Sequence, residues 1–159
     1  LIRGNISEVR TLAVGTGATQ GVDANAADAV TEENLTATAE LLRSFAARTG
    51  AIVAVTGAID LVTDGRDCYA IRNGRAEMGQ VTGTGCQLSA LLAAALAAAP
   101  SDTLAAVVET VALMGTAGEI AWAQMGERDG NATYRTRIID AIYRMTSEEF
   151  DARMNIMKL

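Results

Sequence analysis

The segment Val81-Thr82-Gly83-Thr84-Gly85-Cys86 is rich in glycine, carries a thiol and precedes a long run of alanine and leucine. Glycines lack a Cβ, so the backbone can turn sharply and bring successive N–H groups close to a bound oxyanion. The first N–H groups of the following helix have no intrahelical partner, and the macrodipole adds roughly half a positive charge there. The segment therefore predicts an anion site, and the same field favours the thiolate form of Cys86.

A plainer interpretation of this segment stays open at this point. The two glycines would form an ordinary turn from strand to helix, and Cys86 would be a small buried residue, since cysteine outside disulfides is among the most buried types. Short glycine motifs also have many chance matches. The second thiol, Cys68, falls in a predicted hairpin and is expected to be structural.

Composition excludes several classes of function. The 159 residues contain no histidine, which removes Ser-His-Asp and Cys-His catalysis and every histidine-based metal site. The net charge is −6 and no basic run occurs, which argues against a nucleic-acid or anionic-membrane surface. Two cysteines are too few for a disulfide framework, and no signal peptide is recognised, so a cytoplasmic location is expected.

The first half of the chain must supply elements that position this chemistry. Residues 1–3 read as the end of a strand, and Asn5 with Glu8 three residues later has the spacing of a capping box, which predicts a helix to about Val14. Residues 15–23 are rich in Gly and Thr and predict a loop with a brief extended piece at 21–22. Apolar residues at helical spacing from Leu35 predict an amphipathic helix that Gly50 closes.

A buried strand is predicted next. Residues 51–55 are uninterruptedly apolar, as in a strand covered on both faces, and Thr56-Gly57 ends it. Strand patterns at 60–63 and 68–72, joined through Asp64-Gly65 and followed by a turn at 73–74, predict a hairpin. The alternation of helices and strands thus indicates one α/β domain over residues 1–159, with an antiparallel edge on a parallel sheet.

The second half is predicted to be helical. Residues 86–99 carry no charge and are too few to span a bilayer, which needs about 20 apolar residues, so a core helix is expected. A further helix is predicted to begin after Pro100-Ser101-Asp102 and to reach about Met125. Two further helices are predicted at 132–145 and 147–157, and Thr146 with Glu149 forms a capping box for the last one.

Three segments, in order and spacing, resemble the hydroxyethylthiazole kinase family of the ribokinase-like superfamily. They are Ile2-Arg3-Gly4-Asn5-Ile6-Ser7-Glu8, Ala54-Val55-Thr56-Gly57-Ala58-Ile59-Asp60-Leu61-Val62-Thr63-Asp64-Gly65, and the glycine-rich segment before the alanine-rich helix. The resemblance implies a three-layer α/β/α fold with a mostly parallel central sheet, here without its N-terminal strands. The family's Gly-x-Gly-Ser-Phe signature is replaced by Gly130-Asn131-Ala132-Thr133-Tyr134.

The resemblance also implies an activity, which is transfer of the ATP γ-phosphate to the hydroxyethyl group of 4-methyl-5-(2-hydroxyethyl)thiazole in thiamine biosynthesis or salvage. Magnesium would assist, and family members are similar in forming homotrimers. By this resemblance the site residues are a catalytic thiol, three nucleotide-binding residues, one thiazole-binding glycine and one metal-binding carboxylate: Cys86; Arg3, Thr56 and Gly85; Gly83; and Glu8.

Each of these roles has a structural alternative. Glu8 would only cap a helix, Arg3 would be a solvated terminal residue, and Thr56-Gly57 would be an ordinary strand exit. Two other functions also remain open. One is a ribokinase-like kinase of another small alcohol, which the cysteine in place of an aspartate at position 86 argues against. The other is a catalytically silent nucleotide-binding or assembly subunit.

Overall fold

The computed structural model describes residues 1–14 and 29–159, and the chain divides into two compact units. The first unit comprises Leu1–Ile71 and Met157–Leu159, and the second comprises Arg72–Ile156. The loop and the extended piece predicted for residues 15–23 lie outside the described residues.

Within residues 1–14 and 29–159 the sheet has five strands, paired in the order of the chain: Ile2–Asn5 (β1), Val53–Thr56 (β2), Asp60–Thr63 (β3), Cys68–Ile71 (β4) and Ile156–Lys158 (β5). β1 runs parallel to β2, with Arg3 opposite Ala54, and the β2–β3 and β3–β4 pairs are antiparallel. The sheet is therefore mixed, and the predicted hairpin through Asp64-Gly65 and the antiparallel edge are confirmed.

In the described part of the first unit, two helices pack with the strands, α1 at Ile6–Val14 and α2 at Leu35–Thr49. Their apolar faces join the strands in one core, which is why the amphipathic pattern from Leu35 was informative. Gly50 ends α2 in the left-handed conformation with φ +66°, and its N–H donates to Ala46 O at 2.8 Å, which confirms the predicted C-cap. The core side chains include Ile6, Val9, Leu42, Phe45, Val53, Val55 and Leu61.

The second unit is helical, and the helix Thr103–Ala123 (α4) packs against both Thr84–Ala98 (α3) and Asn131–Arg144 (α5). Within the described ranges α4 is the one helix long and apolar enough to span a membrane, but 56% of that apolar window is buried inside the structure, as in the core helix of a globular protein. A Cβ at Gly115 would lie 2.6 Å from the backbone of Asn73, so this close approach requires glycine. The helices are α3 at Thr84–Ala98, α4 at Thr103–Ala123, α5 at Asn131–Arg144 and α6 at Ser147–Arg153, preceded by a 3₁₀ helix at Ala76–Gln80.

The predicted core helix after the glycine-rich segment is present as α3, but only one face of it is buried. Leu88 and Leu92 are its buried residues. The opposite face carries exposed small residues, Cys86, Ser89, Ala90, Ala93, Ala94, Ala97 and Ala98.

The predicted last helix is too long. Its capping box is confirmed, because Glu149 N–H donates to Thr146 Oγ1 at 3.2 Å, but α6 ends at Arg153 and residues 156–158 form β5. The side chain of Asn73 accepts from Asn155 N–H at 2.7 Å and donates to Arg153 O at 3.0 Å. These bonds turn the chain into the edge strand, where backbone pairing replaces further helix formation.

Candidate functional site

Arg3 and Thr56 lie on neighbouring parallel strands, and the Arg3 side chain reaches Thr56 at the carboxyl end of β2. Asn5 pairs with Thr56 in the ladder, and Arg3 Nη2 donates to Thr56 Oγ1 at 3.3 Å. The carboxyl ends of parallel strands are where open α/β sheets bind ligands. Arg3 Nε is buried and has no hydrogen-bond partner among residues 1–14 and 29–159, so the guanidinium retains unused donor capacity at this edge. The arginine is therefore not a solvated terminal residue.

Glu8 and Asn5 cap α1 reciprocally, as the sequence predicts. Glu8 N–H donates to Asn5 Oδ1 at 2.9 Å, and Asn5 N–H donates to Glu8 Oε2 at 2.7 Å. A Cβ at Gly4 would lie only 2.8 Å from Glu8 Oε2, so the glycine is what allows the carboxylate to lie against β1. The capping role of Glu8 is confirmed, and the carboxylate is fixed at the end of the same strand that carries Arg3.

The carboxylate of Glu8 fits a magnesium ion only in a restricted way. A carboxylate has about four lone-pair sites, of which the bond from Asn5 N–H uses one. Magnesium is usually held by one or two carboxylates together with substrate phosphates and water. The described residues contain no group of three or more His, Cys, Asp or Glu that could hold a metal. Glu8 therefore suits a metal ion that phosphate oxygens help to hold.

Asp60 is a further polar residue at this end of the sheet, and the sequence pattern predicts it only as part of a strand. Its Oδ1 accepts the Gly57 N–H at 2.8 Å, across the turn that leaves β2 after Thr56. Burial raises the pKa of the Asp60 carboxyl to about 7, while the Gly57 hydrogen bond and the charge of Arg3 act in the opposite direction. The spacing Thr56-Gly57-x-x-Asp60 is the sequence signal that marks this contact.

The glycine-rich segment in the second unit forms the start of α3. Gly83 is the N-cap residue with φ +99°, a left-handed conformation that favours glycine, and no side chain caps the helix. The first backbone bond of the helix runs from Gln87 N–H to Gly83 O at 2.9 Å, so the N–H groups of Gly85 and Cys86 precede the helical ladder. This is the arrangement expected of an anion-binding helix start.

The two cysteines have opposite environments. Cys86 is exposed in the first turn of α3, so the interpretation of this thiol as a small buried residue is wrong. Cys68 is fully buried in β4, and burial raises the pKa of its thiol to about 11, as suits a structural residue. Only Cys86 is accessible for chemistry.

The candidate residues thus form two clusters, one in each unit. The strand-end cluster, defined as Arg3, Glu8 and Thr56, offers a cation, a carboxylate and a hydroxyl, which suits a polyphosphate with a divalent metal. The helix-start cluster, defined as Gly83, Gly85 and Cys86, offers backbone N–H groups beside a thiol. That combination can stabilise developing negative charge next to a nucleophile or base.

Comparisons with known proteins agree with this chemistry. Residues 1–148 match the model of the hydroxyethylthiazole kinase family. Hydroxyethylthiazole kinases of Clostridium acetobutylicum and Arabidopsis thaliana are 42% identical over 151 residues and 36% identical over 162 residues. The alignments cover 95% and 100% of this chain but 55% and 54% of those relatives, so the chain spans about half their length.

A solved structure supports the same assignment. The structure of a hydroxyethylthiazole kinase protein from Pyrococcus horikoshii OT3 superposes with a TM-score of 0.78 at 27% sequence identity. The match covers 99% of this chain and 54% of that one, and it identifies the α/β fold as ribokinase-like. By sequence and by fold, the chain belongs to the hydroxyethylthiazole kinase family.

Proposed function

We propose that this chain takes part in ATP-dependent phosphorylation of the hydroxyethyl group of 4-methyl-5-(2-hydroxyethyl)thiazole, a step of thiamine biosynthesis or salvage. The observation that carries the proposal is the family match over residues 1–148, which includes both clusters. The whole of residues 1–159 would belong to one kinase domain.

The strand-end cluster would bind the nucleotide. Arg3, already bonded to Thr56 Oγ1, would donate to phosphate oxygens, and charge-assisted bonds of this kind are roughly twice as strong as neutral ones. Glu8 would hold a magnesium ion together with those oxygens. When bound, the ion would neutralise part of the negative charge on the phosphates.

The helix-start cluster would serve the acceptor and the transferred group. Gly83 would contact the thiazole, and the N–H groups of Gly85 and Cys86 would stabilise charge on the transferred phosphoryl oxygens. The acceptor hydroxyl oxygen would bond to the γ-phosphorus as the bond to ADP breaks, and its proton would pass to the Cys86 thiolate. Since this transition state is loose, positioning matters more than base strength, which is why a cysteine can replace an aspartate.

Three further features belong to this proposal. ATP and the thiazole would be the small-molecule partners, with magnesium as cofactor. The protein would form a homotrimer and act in the cytoplasm. Static light scattering of the purified chain tests the assembly, and a mass of one or two chains would contradict the trimer.

A second candidate is a catalytically silent nucleotide-binding or assembly subunit. The observation that favours it is that the strand-end cluster is held by hydrogen bonds within its own unit, from Arg3 to Thr56 and between Asn5 and Glu8. The strand-end cluster would then bind ATP without transfer to an acceptor.

A coupled ADP-release assay distinguishes the two functions. The assay uses the chain with Mg-ATP, with and without hydroxyethylthiazole, and compares Cys86→Ala with Ser89→Ala. Ser89 is the matched control because it is also exposed on α3, one turn further on. Thiazole-dependent turnover that only Cys86→Ala weakens supports the kinase. ATP binding without turnover supports the silent subunit, and absence of both contradicts each proposal.

A further inference from the structure

The turn between β2 and β3 directly follows Thr56, whose hydroxyl accepts a hydrogen bond from Arg3. We propose that Asp60 is a positioning residue of the nucleotide site, which fixes the turn after Thr56 and so keeps Thr56 Oγ1 in place against Arg3. The inference rests on the proposed function and adds to it a residue with no direct contact to the nucleotide.

The first argument is the geometry of the turn. Thr56 is the last residue of β2 and Asp60 is the first residue of β3, so three residues connect the strands. Gly57 and Ala58 are exposed and receive little support from packing, whereas Ile59 is buried. The bond from Gly57 N–H to Asp60 Oδ1, at 2.8 Å, ties the first residue of the turn to the start of the next strand. It therefore restrains the backbone directly after Thr56.

The second argument is the relation between Asp60 and Arg3. The charge of Arg3 acts on the Asp60 carboxyl, yet among residues 1–14 and 29–159 the hydrogen bond recorded for the guanidinium goes to Thr56 Oγ1, at 3.3 Å. A carboxyl that does not occupy the donors of a guanidinium leaves them for an anionic ligand. Asp60 thus acts on the pair through the backbone directly after Thr56, and it leaves the donors of Arg3 free.

The chain contains a matched control for this role. Asp64 lies in the next turn, between β3 and β4, and its Oδ1 accepts the N–H groups of Arg66 at 2.8 Å and Asp67 at 2.9 Å. Asp60 and Asp64 therefore perform the same local task, one beside the Arg3–Thr56 pair and the other in the hairpin turn. A general loss of turn stability would appear in variants of both residues.

The experiment is calorimetric titration of Mg-ATP into the full chain and its variants Asp60→Ala, Asp60→Asn, Asp64→Ala and Arg3→Ala. Loss of the bond between Gly57 and Asp60 should lower the affinity for Mg-ATP by about fivefold to tenfold in Asp60→Ala. Asp60→Asn keeps an oxygen that accepts Gly57 N–H, so we expect its affinity to stay within about threefold. Asp64→Ala should bind as the wild type does. In steady-state assays the change should fall on KM for ATP and not on kcat.

Each outcome decides a different point. If Arg3→Ala weakens binding and Asp60→Ala does not, the positioning role is overturned while the proposed function stands. If Asp60→Asn loses as much as Asp60→Ala, the Gly57 bond is not the cause and the inference fails. If the wild type does not bind Mg-ATP, the proposed function and the inference fail together.

A second measurement covers the case in which Asp60→Ala does not fold. Amide hydrogen exchange in the wild-type chain should be slower at Gly57 than at exposed Ala58, and the Gly57 amide should stay protected in Asp60→Asn. Equal exchange at the two amides would overturn the inference.

Discussion

The strand-end cluster and the helix-start cluster are held in place by different means. In the first, side chains bond to the backbone and to one another, as Glu8 does with Asn5 and Arg3 with Thr56. In the second, Gly83 begins α3 in a left-handed conformation without a side-chain cap, and one hydroxyl, Thr84 Oγ1, donates to Val81 O at 3.2 Å in the preceding turn. The exposed thiol of Cys86 is not part of the packed core.

Because of this difference, substitutions in the two clusters should affect the free energy of unfolding differently. Glu8 both caps a helix and would hold a metal ion, so a simple truncation removes two roles at once. Cys86 contributes no burial, so its chemistry can be removed while the fold remains. The comparison therefore predicts which substitutions change activity alone and which change both properties.

The largest effect is expected at Cys86. Cys86→Ala should lower thiazole-dependent turnover by about 10²–10⁴-fold, the range for loss of a general acid or base. The free energy of unfolding should change by less than about 0.5 kcal/mol, because the side chain is exposed. Steady-state kinetics and urea unfolding measure the two quantities, and a stability loss above about 1 kcal/mol would contradict the separation.

The pH dependence of stability should show the titration of Asp60. Its pKa is about 7 in the folded chain, raised from 3.8 by burial, with Arg3 as the recorded opposing charge. The folded state therefore binds the proton more tightly than the unfolded state. The resulting stabilisation is complete below about pH 4 and is lost as pH rises through about 7, with a slope of up to about 1.4 kcal/mol per pH unit.

Asp60→Asn removes this titration. The stability of the wild type minus that of the variant should fall between pH 5 and pH 7 and become constant above about pH 8. Urea unfolding at these pH values provides the measurement. A difference that is independent of pH would show that Asp60 ionises in the folded chain as it does in water.

Gly83→Ala tests the helix-start cluster through the backbone. Alanine in the left-handed conformation costs roughly 1–2 kcal/mol, and Gly83 has φ +99°, although beyond its chain neighbours no atom of the described residues lies within 4 Å of an added Cβ. Gly79→Ala is the control, because Gly79 is equally open and lacks the positive φ. Chemical denaturation should show a loss in the first variant alone, and equal losses would mean that conformation is not the cause.

Local patterns allowed most of the first unit to be predicted from sequence. The capping box of Asn5 and Glu8, the C-cap Gly50 and the turn through Asp64-Gly65 each depend on residues within a few positions of one another. Such contacts leave a direct signal in the sequence, because the chemistry of the turn or cap dictates residue type at a fixed spacing.

Features that depend on residues far apart in the chain could not be predicted in this way. The last helix stops at Arg153 because Asn73, eighty residues earlier, bonds to its carbonyl. The exposure of Cys86 and the burial of Cys68 likewise depend on packing, and the sequence alone left the first open. In the site, the motif placed Arg3 and Thr56 on strand ends, but their hydrogen bond required the parallel register of β1 and β2.

The smallest effect, about 1 kcal/mol, is expected from the capping role of Glu8, and it distinguishes the two tasks of that residue. Glu8→Ala should lower the free energy of unfolding by about 1 kcal/mol because Asn5 N–H loses its acceptor. Glu8→Gln keeps an oxygen that accepts this N–H and should retain most of that stability.

Both variants lose the carboxylate charge, so both should need more magnesium for half-maximal ATP binding. Measurement of urea unfolding and of magnesium dependence in parallel separates the roles. If Glu8→Gln requires no more magnesium than the wild type, Glu8 is a capping residue only.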